Sequence, residues 1–426
     1  AQVCLFPTHW VQPGSTTELF VVAMASGRFV LGCAVALTAP HGDLFGSHRP
    51  GCCAQIVFAP PDQVASIAPQ MRRSATMQVE GYFNARDVSN LRPLRQAQSI
   101  YSQLLEHDRT AEDPQQLIET LGSAAEVAAL LGLDSQAERL FAELLALPTC
   151  SHDRKLASQP SCAAYAGGKL AVLLRSAGKT SDAAAAVEAA KAKGVTWTEA
   201  LQLPPDHLSG LYARAVWPAG DVPVARQLAE AFEDILEEFK RLEAAAKRGK
   251  RLKWQATPDF FLRAQGSGKW DEIMLKGGSW EREPCRVMER LCDLLRDIRE
   301  IVGPGQHGGK DLGVPGRVAF LRMSPGTVLR PHTANWNGRL NVHLPIRVPE
   351  GCEGSGCGGI QVGDEPLLQW KLGVPIVFDD SFVHAAVLPA EASGERIVLH
   401  VSVWHPEIVS HTPAETPGWA SRGEEL

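Results

Sequence analysis

The chain has 426 residues, 45% hydrophobic and 21% charged, with a formal net charge of −6. That length allows two or three domains, and the composition is ordinary for a soluble globular protein. The acidic balance gives no footprint for a nucleic-acid partner, and the nearest basic run, Lys247 to Lys253, reads as the end of a helix.

Residues 1–90 are rich in Gly, Pro, Cys and His, show no sustained period and receive no functional assignment. The chain begins at Ala1 rather than Met, as a processed or truncated product would. Leu19 to Ala39 is apolar apart from Ser26, Arg28 and Thr38, a length that approaches a membrane span. A central Arg is costly in lipid and two glycines weaken a helix there. An anchor or signal segment and a buried strand pair both remain open for it.

Residues 91–200 read as paired amphipathic helices: Leu94 to Leu105, Leu117 to Leu131, Ser135 to Leu147, Ala163 to Ser176 and Ser181 to Lys193. Gly132-Leu-Asp-Ser-Gln-Ala137 and Gly178-Lys-Thr-Ser-Asp-Ala183 resemble each other. In each, a glycine ends one helix and a small residue packs early in the next. The expectation is a short solenoid of tetratricopeptide-like hairpins, serving either to bind a partner or to brace the domain that follows. Residues 201–264 are a helical lead-in. There Asp221 to Arg248 carries Val224, Leu228, Phe232, Ile235, Leu236, Phe239 and Leu242 at helical spacing, the pattern of a core-facing helix.

After about residue 255 the texture changes to short alternating runs between Gly and Pro. Arg317 to Met323, Thr327 to His332, Arg339 to Ile346, Leu367 to Leu372, Pro375 to Asp379, Phe382 to Leu388 and Arg396 to His405 read as strands. So many short strands suit a double-stranded β-helix, or jelly roll, over residues 265–410, followed by a tail at 411–426. The fold class expected is α+β and multidomain.

Three histidines fall in this strand region: His332, His343 and His384. Imidazole suits iron, and the usual iron oxygenase supplies two histidines and one carboxylate. Here the motif is His332-Thr333-Ala334, with alanine where the carboxylate would stand. Spacing alone leaves an iron site, a zinc site and three unrelated core histidines open. Strand parity puts Arg330 with His332, Arg339 and Asn341 with His343, and Arg396 with His400, Ser402 and Trp404. Such polar faces turn either to solvent or to a polar barrel interior.

The stretch Met323-Ser-Pro-Gly-Thr-Val-Leu-Arg-Pro-His332 through Arg339-Leu-Asn-Val-His-Leu344 resembles the aspartyl/asparaginyl β-hydroxylase family. So do Phe378-Asp-Asp-Ser-Phe-Val-His384 and Arg396 with Val401-Ser-Val-Trp-His-Pro406, in the same order and at matching intervals over about residues 265 to 408. The resemblance implies Fe(2+) as metal, with 2-oxoglutarate and O2 as cosubstrates. It implies His332 and His384 as iron ligands, in a family that lacks the third ligand, so Ala334 fits. Asp380 corresponds to a carboxylate that orients water at the vacant position. Arg396 corresponds to the arginine on the distal carboxylate of 2-oxoglutarate. His343 and Trp270 match cosubstrate-pocket positions, and Arg339 matches an arginine associated with the acidic side chain of a peptide substrate. Asn341 stands where the family commonly has an arginine that helps hold 2-oxoglutarate, and Leu321 where it has a serine. Arg330 is a candidate to compensate.

The ten cysteines are too few for a disulfide scaffold; close pairs such as Cys52 and Cys53 are disulfides in an oxidising lumen or free thiols in cytosol. By the resemblance, Cys285 and Cys292 have the spacing of a disulfide pair, and Cys352 and Cys357 bound a short loop. The function implied is hydroxylation of the β carbon of peptidyl aspartate or asparagine. The alternatives are the same chemistry on a lipid or small amino-acid derivative, and a non-catalytic peptide-binding module. The expected partners are a peptide or protein substrate and a protein recruited by the helices. The expected location is the endoplasmic reticulum or secretory pathway, with the cytoplasm as the alternative.

Overall fold

The computed structural model describes residues 61–85, 90–157, 159–248, 252–257, 264–265, 268–350 and 358–410. The segment 19–39, Cys52, Cys53, Cys352, Cys357 and the tail 411–426 lie outside the described residues. The chain divides into two compact units, residues 1–70 and 71–426. Within the first, the described residues begin the helix Pro61–Ala85; the elements that follow belong to the second.

Five helices come next: Arg92–Asp108, Pro114–Leu130, Asp134–Ala146, Cys162–Ser176 and Thr180–Ala192. Each packs on its neighbour in sequence. Gly132 and Gly178, with φ of 72° and 74°, end two of them as the sequence motif implies. In both, the amide two residues past the cap reaches back to the carbonyl of the helix's last turn, Leu133 to Ala128 and Lys179 to Leu174. An L side chain would resist that left-handed backbone. Gly167 permits close helix contact: a Cβ there would lie 2.6 Å from Cβ of Ala190. A disulfide that the sequence reading did not assign, Cys150–Cys162, ties the loop before Cys162–Ser176 to that helix.

The expected helix Asp221 to Arg248 is broken. A short 3-10 turn, Ala219–Asp221, leads into Pro223–Glu230 and then Phe232–Arg248. The sequence at Ala231 contains no helix breaker, so local propensity does not account for the break. Tertiary packing accompanies it: the ring of Phe232 sits 3.2 Å from where a Cβ on Gly373 would be.

The C-terminal part holds a large and a small antiparallel sheet, besides a third of three short strands, Val409–Ser410, Gly305–His307 and Lys310–Asp311. The large one runs Val216–Trp217, Ile376–Phe378, Arg339–Arg347, Arg396–Trp404, Val318–Met323, Trp270–Lys276, Gln255–Ala256. The small one runs Gly359–Val362, His384–Leu388, Thr327–His332, Ala264–Gln265. Alternation sorts the two central strands cleanly. Leu340, Val342, Leu344, Ile397, Leu399, Val401 and Val403 join the core made with Leu228, Ile235, Phe239, Leu291 and Leu295 of the covering helices. Their odd-numbered and even-numbered neighbours respectively turn the other way, toward the small sheet. Leu367 to Leu372, expected as a strand, is not one; it makes only isolated bridges at Leu368 and Lys371. The disulfide Cys285–Cys292 joins helices Arg282–Val287 and Glu289–Arg296. No helix among the described residues is long and apolar enough to cross a membrane.

Candidate active site

A cavity of about 570 Å³ lies between the two sheets. All eight site residues named from the sequence line it: Trp270, His332, Arg339, Asn341, His343, Asp380, His384 and Arg396. Leu321 lines it as well.

His332 ends one strand of the small sheet and His384 begins its neighbour, and the two are direct cross-strand partners. Their ring centroids are 4.0 Å apart. Each ring is pinned in the same way: Nδ1 lies 2.7 Å from the carbonyl of Arg330 in His332 and 2.8 Å from that of Phe382 in His384. A carbonyl only accepts, so Nδ1 carries the proton and Nε2 keeps its lone pair. Burial holds both imidazoles below their ordinary pKa. The site therefore presents two neutral donors fixed by backbone carbonyls, the arrangement a divalent metal needs from histidine. Among the described residues no group of three or more His, Cys, Asp or Glu is placed to hold a metal ion. The donor set fits a metal with two protein ligands and open positions.

Arg330 does not join them. A β-bulge falls between the pairs His384–His332 and Ala386–Leu329. The extra residue resets parity, so Leu329 and His332 face the cavity while Arg330 turns away to pair with Asp134 of the helical region. Strand parity therefore does not bring Arg330 beside His332. Arg330→Ala is expected to leave 2-oxoglutarate affinity within twofold of the parent, about 0.4 kcal/mol, measured by calorimetric titration.

Arg396 is the first residue of its strand and is 2% exposed. Its guanidinium lies 4.4 Å over the ring of Trp370 and contacts the carbonyl of Leu321 at 3.4 Å and the sulfur of Met323. It has no carboxylate partner among the described residues, and burial pulls its pKa down to about 9. Its Nε is buried without a hydrogen bond, as are the indole nitrogens of Trp270 and Trp370. Three unpaired donors on residues lining one cavity, with an uncompensated cation among them, make a place for an anion. Trp370 was not singled out from sequence. Its stretch reads as a strand, and nothing in that pattern marks one side chain as inward.

Asp380 is 4% exposed and accepts from Arg339 at 2.8 Å and from Asn341 at 2.8 Å. Asn341 is thereby occupied: its amide donates to Asp380 and its oxygen accepts from Ser402 at 3.0 Å. His343 and His400 are cross-strand partners with a 3.0 Å ring contact. His400 and Ser402 share the expected face, while Trp404 instead gives its N–H to the carbonyl of Gly303 and packs on Trp336.

Acid is expected to destabilise the metal-free protein. Burial holds His332, His343, His384 and His400 below their ordinary 6.5, so the folded state stays neutral where the unfolded chain takes up protons. Asp379 opposes this: burial raises it from 3.8 to about 7, so it favours the folded state as pH falls through that range. Four groups outweigh one, and stability is lost as pH falls through about 6.5. Thermal melts in chelator at about pH 7 and about pH 5.5 check this, with the lower Tm at the lower pH.

Residues 229–406 match the family model described as aspartyl/asparaginyl β-hydroxylase. The chain is 33% identical over 184 residues to the human aspartate β-hydroxylase domain-containing protein 2, covering 42% of this chain and 44% of that protein. It is 31% identical over 152 residues to human aspartyl/asparaginyl β-hydroxylase, covering 35% of this chain and 18% of that protein. The chain thus spans less than half the length of these relatives. A crystal structure of a Pseudomonas putida prolyl-4-hydroxylase aligns over 42% of this chain and 98% of its own, at 16% identity and a TM-score of 0.26, a likeness too slight to carry weight. The segment similar to the aspartyl/asparaginyl β-hydroxylase family, residues 229–406, contains both pinned histidines and the buried arginine.

Proposed function

We propose that this protein is an Fe(2+)- and 2-oxoglutarate-dependent dioxygenase that hydroxylates the β carbon of peptidyl aspartate or asparagine. The observation that carries the reading is a buried, acid-free Arg396 in the same cavity as two cross-strand imidazoles with free Nε2 lone pairs. His332 and His384 would hold the iron. Iron with 2-oxoglutarate supplies what no side chain can, O2 activation and oxidation of an unactivated C–H, with succinate and CO2 as coproducts. Arg396, stacked on Trp370, is suited to grip one carboxylate of the diacid. Asp380, held by Arg339 and Asn341, sets the polarity of the wall beside the metal position. Arg339 lines the cavity while bonded to Asp380, so its action on a substrate acid would be as a shared cation.

The two facing sheets support a double-stranded β-helix, and the consecutive helices 92–192 support a tetratricopeptide-like brace or partner surface beside it. Disulfides Cys150–Cys162 and Cys285–Cys292 favour an oxidising compartment such as the endoplasmic reticulum lumen. The test is mass spectrometry of peptides containing Asp or Asn after incubation with iron(II), 2-oxoglutarate and ascorbate. A gain of one oxygen atom on such a residue is expected. Peptides recovered unchanged across a broad panel, with no succinate formed, contradict the proposal.

A further inference from the structure

A single hydrogen-bonded chain runs from Asp380 to His343, and its direction is fixed at the carboxylate end. Asp380 only accepts, so Asn341 must turn its amide Nδ2 toward it, at 2.8 Å. That leaves Oδ1 of Asn341 as an acceptor, and Oγ of Ser402 donates to it at 3.0 Å. Having given its proton there, Ser402 can only accept from Nε2 of His400, 3.2 Å away. His400 is then the Nε2–H tautomer, and its Nδ1 accepts from Nε2 of His343 at 3.0 Å. The last atom is Nδ1 of His343, left with a bare lone pair, buried and without a hydrogen-bond partner. Reversing the chain would strand the buried Oδ1 of Asn341, because Ser402 has one proton and would spend it on His400.

This ordering has a consequence for the anion expected beside Arg396. His343 and Arg396 line the same cavity, yet His343 offers a carboxylate an acceptor where it needs a donor. We propose that Asn341, Ser402 and His400 are positioning residues that lock His343 with Nδ1 unprotonated, so that binding of 2-oxoglutarate takes up one proton from solvent at that nitrogen. The inference rests on the cosubstrate reading above. Only one N–H bond forms, and the proton comes from water or buffer. The charged and titratable groups facing the pair are Arg396, Arg317, Arg339, His384 and Asp380. The three arginines disfavour a further cation, and burial keeps both histidines neutral in the free protein. A bound carboxylate offsets Arg396 and supplies the missing acceptor for a new N–H.

The experiment is calorimetric titration of 2-oxoglutarate into the full chain loaded with manganese(II), near neutral pH, in buffers of different ionisation enthalpy. The slope is expected to show uptake of about one proton per ligand, with affinity weakening about tenfold per pH unit. In Ser402→Ala the chain loses its polarity, His400 and His343 can reverse, and uptake is expected to fall toward zero. A merely structural loss would weaken binding without changing the proton count. Ser402→Thr keeps the hydroxyl and is expected to keep the uptake. Binding by the parent without proton uptake, or equal uptake in Ser402→Ala, overturns the inference and leaves the cosubstrate reading standing. No binding of 2-oxoglutarate to the parent overturns both.

Discussion

His384→Ala is expected to abolish stoichiometric metal binding and to lower succinate formation by more than about 100-fold, and His332→Ala to do the same. Losing one outer partner of a metal ligand typically costs 10–100-fold, and losing the ligand itself costs more. The effect is larger here than in a three-ligand site because no third His, Cys, Asp or Glu is placed to substitute among the described residues. Asp380 cannot step in without giving up its ion pair with Arg339 and its hydrogen bond from the buried amide of Asn341. The register makes the pair mutually dependent, since each histidine is held opposite the other by the same strand pairing. Metal content by atomic emission after manganese(II) loading separates the readings. An alanine variant at either position that keeps one metal per chain removes that histidine from the ligand set. His307, whose ring bonds the carbonyl of Ser209, is the control, and His307→Ala is expected to leave metal binding intact.

Arg396→Met is expected to produce two effects of opposite sign. Cosubstrate affinity falls, because a charge-assisted hydrogen bond contributes about 1.5–3 kcal/mol, or roughly 10- to 150-fold. Stability of the ligand-free protein rises, because a buried cation without an acidic partner is replaced by an apolar chain of similar length. The stack on Trp370 offsets part of the desolvation and survives only as an apolar contact in the variant. Calorimetric titration with 2-oxoglutarate and a thermal melt check the two signs. Manganese(II) binding is expected to persist, since Arg396 contributes no metal ligand. A variant that binds 2-oxoglutarate as the parent does shows that the anion sits elsewhere.

Much of the site was legible because strand alternation is unambiguous. Arg339, Asn341 and His343, and Arg396, His400 and Ser402, fall on one face in the sequence and on one cavity wall in the structure. Alternation fails where the chain inserts a residue. The bulge between Leu329 and His332 contains Pro331, a residue that sheets tolerate at bulges, but alternation alone reads straight through it, so Arg330 was placed on the wrong face. Trp370 was missed because its stretch reads as a strand but folds as a loop, so strand alternation is no guide to which of its side chains reaches the cavity. Strands Trp270–Lys276 and Gly359–Val362 were also missed. The first is buried at five of seven positions with no clean alternation, and the second is only four residues long. The break at Ala231 leaves the apolar stripe in phase on both sides, so periodicity reads straight through it. Cys150–Cys162 joins residues twelve apart whose geometry depends on how the loop folds.

The most direct test is to supply iron(II), 2-oxoglutarate and a hydroxylatable peptide under O2 enriched in its heavy isotope, then weigh both products. The parent is expected to give succinate and hydroxylated peptide, each carrying one heavy oxygen atom, in equal amounts. Peptide consumed without labelled succinate, or labelled succinate formed equally well by the chain carrying both His332→Ala and His384→Ala, would contradict the assignment of the reaction to this pair of imidazoles.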